Sequence, residues 1–429
     1  MMNSLEFAKQ MDEEDKLKHF RQRFIIPSEN GKEKIYFLGN SLGLQPKTTA
    51  SYIDKILDQW SQYGVEGFFE GDDPWLSYHE QLTSSLAEIV GALPHEVVAM
   101  NQLTVNLHLM MVSFYRPKGK RNKILCEGKA FPSDQYMFET QVKHFGLDPA
   151  DIIIEVLPRE GEHTLRTEDI LSSIQKYKDE LAIVLFGGVN YYTGQLFDIK
   201  SITDEAHRVG AIAAFDLAHA AGNVRLQLHD WDVDFACWCS YKYLNSGPGA
   251  IGGAFVHERY HDAPDLNRFA GWWGYQQETR FEMRKGFVPI DSAEGWQLST
   301  PSFILFTMHK ASLDIFKEAS IESILQKGRR LNEFLFFILD DINHGSSKNL
   351  IEILTPLSLN ERGCQVSMLM KNHGREIFNR LRNQGIFADW REPNVIRIAP
   401  VPLYNSFEEV WKFGQILESE LRSLEGETK

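Results

Sequence analysis

At 429 residues the chain is too long for a single hydrophobic core of ordinary size, so a large domain with a smaller companion is expected. Hydrophobic residues make up 43% and charged residues 24%, a balance that excludes a disordered or fibrous protein. A formal net charge of −14 gives no basis for binding nucleic acid or an anionic membrane surface, and points to small-molecule chemistry.

The first twenty residues, MMNSLEFAKQMDEEDKLKHF, mix acidic and basic side chains through every apolar stretch, so no secretory signal is expected there. No run of about 18 apolar residues occurs, so no spanning helix is expected either. The four cysteines, Cys126, Cys237, Cys239 and Cys364, are too scattered for a disulfide framework, and a reducing cytoplasm fits them. In NQLTVNLH (Asn101 to His108), Thr104 precedes an apolar-periodic stretch that reads as a helix. Strands are expected at Ile152 to Val156, Leu181 to Phe186, Ala211 to Phe215 and Val233 to Cys239, with a glycine-closed helix at Ile202 to Gly210. This alternation predicts an α/β fold, a mostly parallel sheet covered by helices on both faces. After about residue 305 the texture turns to long helical stretches, with strands at 349–354 and 364–370 and a helix at 374–385. The expected division is an N-terminal segment, 1–50, that packs with the small domain, a large domain, 51–300, and a small α+β domain, 301–429.

The chemistry concentrates in FDLAHAAGN (Phe215 to Asn223) and DFACWCSYKYLNSGPGAIGG (Asp234 to Gly253). Ligands of open α/β sheets sit beyond the carboxyl ends of strands, where Asp216, His219, Tyr241 and Lys242 all fall. A lysine past one strand and an aspartate past its neighbour meet the needs of pyridoxal phosphate. The amine forms a Schiff base, and the carboxylate keeps the pyridine nitrogen protonated so that the ring accepts electrons. A lone Lys–Asp pair is more simply a surface lysine and a strand-end cap; the neighbours tip the balance. Phe131, in FPSD (Phe131 to Asp134), can stack on a planar ring, and Asp134 adds a second acid. Thr104 and the N–H groups near it suit a phosphate, and Tyr241 is a further neutral donor.

These blocks, together with FLGNSLGLQPK (Phe37 to Lys47), YYTGQ (Tyr191 to Gln195), GWWG (Gly271 to Gly274) and APVPLYNSF (Ala399 to Phe407), resemble the kynureninase family, in order, from about residue 35 to 415. SYKYLN around Lys242 is the most specific part of the resemblance. The resemblance implies a fold-type I pyridoxal 5'-phosphate enzyme, with a seven-stranded-type sheet in its large domain, working as a homodimer. It implies hydrolysis of the Cβ–Cγ bond of kynurenine or 3-hydroxykynurenine to an anthranilate and alanine, in tryptophan catabolism or NAD biosynthesis. By position, Lys242 would hold the cofactor and take the Cα proton, and Asp216 would pair the pyridine nitrogen. Phe131 would stack on the ring beside Pro132, Ser133 and Asp134. Leu103, Thr104 and Tyr241 would contact the phosphate end, with His219 close by and Tyr241 as a proton relay. Trp272 and Thr300 would reach in from the second subunit, and Arg397 would clamp the substrate carboxylate as a bidentate fork. Two departures stand out. At Gly187 relatives can carry Ser or Thr, and at Thr300 some carry Asn, which leaves the preferred ring substituent open.

Other motifs have plainer readings. GPGAIG (Gly247 to Gly252) matches G-x-G-x-x-G but leads into an apolar run, so its glycines are expected to let the backbone pass close to the lysine. Cys237 and Cys239 share one strand face and read as core, and His229 and His257 read as structural histidines, while His219 alone gains from its context; no metal is expected. An aminotransferase or a cysteine desulfurase is the alternative within the same cofactor class. A desulfurase needs a mobile cysteine, and Cys364 lies in an expected buried strand. A catalytically dead binding protein of the same fold is the alternative from another class, and the presence of Lys242, Asp216 and Arg397 argues against it.

Overall fold

The structure is a computed structural model and describes residues 1–263, 265–345 and 350–427. It opens with α1 (Leu5–Glu13), capped by Ser4, whose hydroxyl accepts from Phe7 N, and α1 packs on the final helix of the chain. The main sheet has seven strands: β1 (Val97–Ala99), β2 (Lys123–Glu127), β3 (Ile153–Val156), β4 (Leu181–Gly187), β5 (Ile212–Asp216), β6 (Phe235–Trp238) and β7 (Gly253–Val256). Their order is β1-β7-β6-β5-β4-β2-β3, with only β7 antiparallel to its neighbours.

The strands are apolar on both sides because both sides are covered. Leu125, Val184, Phe186, Ala213, Phe215 and Trp238 point into one core. Their neighbours Ile124, Ile183, Leu185, Ala214 and Cys237 point into the other. The first core takes in side chains of α2 (Thr49–Tyr63), α3 (Glu80–Val90), α6 (Thr167–Lys176), α7 (Ile199–Arg208) and α8 (Phe303–Ala319). The second takes in α4 (Leu103–Phe114) and α5 (Pro132–His144). Helix α5 has Pro132 at its first turn and the basic Lys143 and His144 in its last, where the helix dipole favours positive charge. This is the α/β architecture expected of the sequence.

The small unit is an antiparallel sheet of β8 (Ile351–Ile353), β9 (Val366–Met370), β10 (Asp389–Arg391) and β11 (Val395–Ile398), in the order β8-β9-β11-β10. Of the strand expected at 349–354, Asn349 lies outside the described residues. Helices α9 (Ile321–Gly345), α10 (Gly374–Asn383) and α11 (Phe407–Glu427) cover it, and its core draws on residues from Leu331 onward together with Ala8 and Phe37. Helix α8, just past residue 300, packs against α2 and α3 instead. The N-terminal segment serves both units: Ile35–Tyr36 pairs in parallel with Ile386–Phe387, while Phe20, Phe24 and Leu44 join the large core.

Among the described residues no helix is long and apolar enough to cross a membrane. The glycine-rich stretch 247–252 enters a strand, β7. A Cβ on Gly253 would lie 2.3 Å from the Trp238 ring, so glycine there lets β7 lie flush on β6.

Candidate active site

The carboxyl ends of β2, β4, β5 and β6 converge on a cavity of about 280 Å³. Register brings Gly187, Asp216 and Cys237 side by side on adjacent strands, and the chain leaving β6 carries Tyr241 and Lys242 back over them. The cavity is lined by Leu103, Thr104, Phe131, Ser133, Asp134, Asp216, His219, Tyr241 and Lys242, so nine side chains expected from the sequence meet in one place. Pro132 does not line it; it is exposed and starts α5.

Lys242 Nζ lies 5.8 Å from the centroid of the Phe131 ring. The lysine backbone is held from the N-terminal segment, where Gly43 N donates to Tyr241 O at 2.7 Å. A Cβ on Gly43 would sit 2.4 Å from Lys242 O, so only glycine permits this approach. Asp216 Oδ1 accepts from Ala218 N at 2.7 Å. Burial raises the pKa of Asp216 and pushes that of Asp134 well up; beside the charge of Asp216, Asp134 keeps its proton and donates it to its neighbour. Of this pair, Asp216 is the acid that gives up its proton first.

His219 is buried, and its Nδ1 has no partner. Burial, with Lys242 nearby, pushes its pKa well down, so the ring is neutral. Burial pushes the Tyr241 hydroxyl well up, so it stays protonated and can donate or relay a proton. At the mouth, the first turn of α4 has no side-chain cap from Gln102, and Leu103, Thr104 and Val105 line the cavity there. The amides of a first helical turn have no intrahelical acceptors, and with the helix dipole they favour an anion.

Arg397 is 1% exposed and lies outside the lining, behind Tyr191. It donates to Tyr191 O and to the Asp389 carboxylate, and its Nε is buried without a partner. Burial lowers its pKa to about 10, which leaves it charged at neutral pH. Tyr191 links it to the cavity, since its ring meets Phe131 edge-on at 5.1 Å between centroids. Trp272 and Thr300 do not line the cavity of their own chain; both are exposed.

Glu127 was missed by the motif reading. It ends β2, is buried in the same cavity, and accepts from Gly187 N at 3.0 Å and Asn190 Nδ2 at 2.6 Å. Burial raises its pKa to about 7. An acid closing the apolar run ILC, just before FPSD, was the available signal.

Of the histidines read as structural, His229 and His257 are partnered. His229 Nδ1 lies 3.0 Å from the buried Glu96, and His257 contacts Glu96 and Asp232. Cys237 and Cys239 are buried in the β6 region, and all four cysteines are free thiols.

Comparisons with known proteins bear on the family and the fold. Residues 324–417 match the family model described as the kynureninase C-terminal domain. A kynureninase of Flavobacterium psychrophilum is 55% identical over 416 residues, covering 97% of this chain and 98% of that protein. One of Nematostella vectensis is 48% identical, covering 98% and 95%. Among solved structures, the apo cysteine desulfurase of Thermococcus onnurineus superposes with a TM-score of 0.72 at 18% identity, covering 91% of this chain and 95% of its own. The cystine C–S lyase C-DES in complex with cysteine persulfide gives 0.73 at 17% identity, covering 90% and 97%. At these identities the structural likeness speaks to the fold, whereas the sequence likeness runs along the whole chain: it belongs to the kynureninase family.

Proposed function

We propose that the chain is a pyridoxal 5'-phosphate enzyme that hydrolyses the Cβ–Cγ bond of kynurenine, with 3-hydroxykynurenine as a further substrate, to an anthranilate and alanine. The observation that carries this reading is the meeting of Lys242, Asp216 and Phe131 in one cavity at the strand ends of a kynureninase-family chain. The residues fit the cofactor. A free carboxylate on Asp216 suits a protonated pyridine nitrogen, the unpartnered His219 Nδ1 leaves a polar atom to be satisfied, and the uncapped start of α4 suits a phosphate.

When bound, pyridoxal phosphate supplies an electron sink next to the substrate Cα. Lys242 would hold it covalently through its amine, and the same amine, when free, would be the base placed to take the substrate Cα proton. Asp216 would keep positive charge on the ring, and Asp134 supports Asp216 by its hydrogen bond. Phe131 fixes the plane of the ring, with Pro132 and Ser133 setting the turn beside it. Leu103, Thr104 and Tyr241 bind the phosphate end, and the protonated Tyr241 can relay a proton to the leaving fragment. Arg397, whose Nε has no partner, binds the substrate carboxylate. Water would add to the γ-carbonyl, cleavage of the Cβ–Cγ bond would release the acyl half as the anthranilate, and the electron pair left on Cβ would take a proton, so that the three-carbon half leaves as alanine.

We also propose a homodimer in which Trp272 and Thr300 complete the partner's site, in place of cofactor contacts within their own chain. Support comes from an exposed aromatic cluster, in which Phe281 meets both Phe69 and Trp272, and from Phe131, left 39% exposed in a single chain. Four free thiols support a cytoplasmic setting. A desulfurase reading is disfavoured by Cys364, which is 3% exposed with its thiol pushed up to about 12 by burial. The test is to supply kynurenine and 3-hydroxykynurenine separately to the cofactor-loaded protein and follow the anthranilates and alanine. Equimolar products are expected, and cleavage of neither substrate refutes the proposal.

A further inference from the structure

Glu127 has no part in the chemistry above, yet it shares the cavity and is anchored with an unusual constraint. Asn190 Oδ1 accepts from Tyr192 N at 3.0 Å, Thr193 N at 2.9 Å and Thr193 Oγ1 at 3.1 Å. Three donors on one oxygen fix the orientation of that amide, so Nδ2 must face Glu127 Oε2, 2.6 Å away. The other oxygen, Oε1, faces the backbone N–H of Gly187 at 3.0 Å, a donor that cannot be reversed. Both oxygens of Glu127 therefore have to accept. A Cβ at position 187 would lie 2.6 Å from Oε1, so the glycine found there is what admits the carboxylate.

The turn that Asn190 organises joins the two units. Gln365 Nε2 donates to Tyr191 O at 2.9 Å, Ser367 Oγ donates to Tyr192 O at 2.5 Å, and Arg397 donates to Tyr191 O. The Tyr191 ring also abuts Phe131. We propose that Glu127 is a positioning residue for substrate recognition: by accepting from Gly187 and Asn190 it fixes the 190–193 turn, and through Tyr191 it sets the guanidinium of Arg397 and the ring of Phe131. The proposal rests on the reading that Arg397 binds the substrate carboxylate.

Glu127→Gln keeps the shape but sets an amide donor against either Gly187 N–H or Asn190 Nδ2. Adding Asn190→Asp restores the match: the side-chain amide introduced by Glu127→Gln accepts from Gly187 and donates to one oxygen of the new carboxylate, while the other oxygen keeps Tyr192 and Thr193. Two readouts are taken, amide hydrogen exchange at Tyr192 and Thr193 in the cofactor-free protein, and KM with kcat in the loaded enzyme. For Glu127→Gln, exchange at both amides should quicken and KM should rise about tenfold with kcat held within about threefold. The double variant should recover both. Unchanged exchange in Glu127→Gln overturns the proposal, as does a double variant no better than the single, which would mean that the carboxylate of Glu127 acts directly. If Glu127→Gln does not fold, Asn190→Asp alone removes the Nδ2 donor to Glu127 while keeping an oxygen for Tyr192 and Thr193, and is expected to give the same two changes; wild-type exchange in it overturns the proposal. Arg397→Ala, run in parallel, separates the two claims: an unchanged KM there removes the role of Arg397, while the exchange measurement still decides that of Glu127.

Discussion

Arg397 keeps its charge at neutral pH, is neutralised by Asp389 and holds Tyr191 O, with Nε as its unused donor. A substrate carboxylate arriving there gains a charge-assisted hydrogen bond, worth about 1.5–3 kcal/mol. Arg397→Ala should therefore raise KM at least about tenfold while the cofactor stays bound. Steady-state kinetics with the absorbance of the bound cofactor checks this, and an unchanged KM removes the clamp. The sequence named Arg397 by its motif, but its tie to Asp389 exists only once β10 and β11 are paired, and its tie to Tyr191, far away in the chain, only once the loop after β4 meets β11. Glu127 was hidden for the same reason: its partners Gly187 and Asn190 come from the neighbouring strand β4 and the loop after it.

Helix α8 shows what an element's pattern conveys and what it omits. Its apolar face is legible in the sequence, but periodicity does not say which layer that face meets, and α8 packs on α2 and α3 of the large core. From there it steadies the segment after Lys242: Ser312 Oγ donates to Leu244 O at 2.6 Å, and His309 Nδ1 meets Ser246 Oγ at 2.5 Å. Burial lowers the pKa of His309 to about 3. The folded state thus binds fewer protons than the unfolded chain between about pH 6.5 and 3, so stability falls as pH drops through that window. The limiting slope is about 1.4 kcal/mol per pH unit. His309→Gln should flatten the fall between pH 6.5 and 5, measured as the difference in unfolding free energy between wild type and variant. An identical slope in both would show that His309 is not what acid attacks.

Across the whole molecule, what the sequence made legible was the set of strand ends, because parallel strands project their following loops to one edge of the sheet. FDLAHAAGN and SYKYLN could be read as neighbours on that ground before any register was known. How two chains meet leaves no such periodic trace, and Trp272 and Thr300 depend on it. If they complete the partner's site, mixing Lys242→Ala with Trp272→Ala chains, each impaired alone, should restore about a quarter of wild-type activity, since half the dimers carry one intact site. No restoration after subunit exchange would place Trp272 outside the partner's site. All of this depends on the amine at position 242. Borohydride reduction of the cofactor-loaded protein, followed by peptide mapping, should place the reduced pyridoxyl phosphate on the peptide containing Lys242 and nowhere in Lys242→Ala. A label on a different lysine, or the same labelling in the variant, would contradict the account.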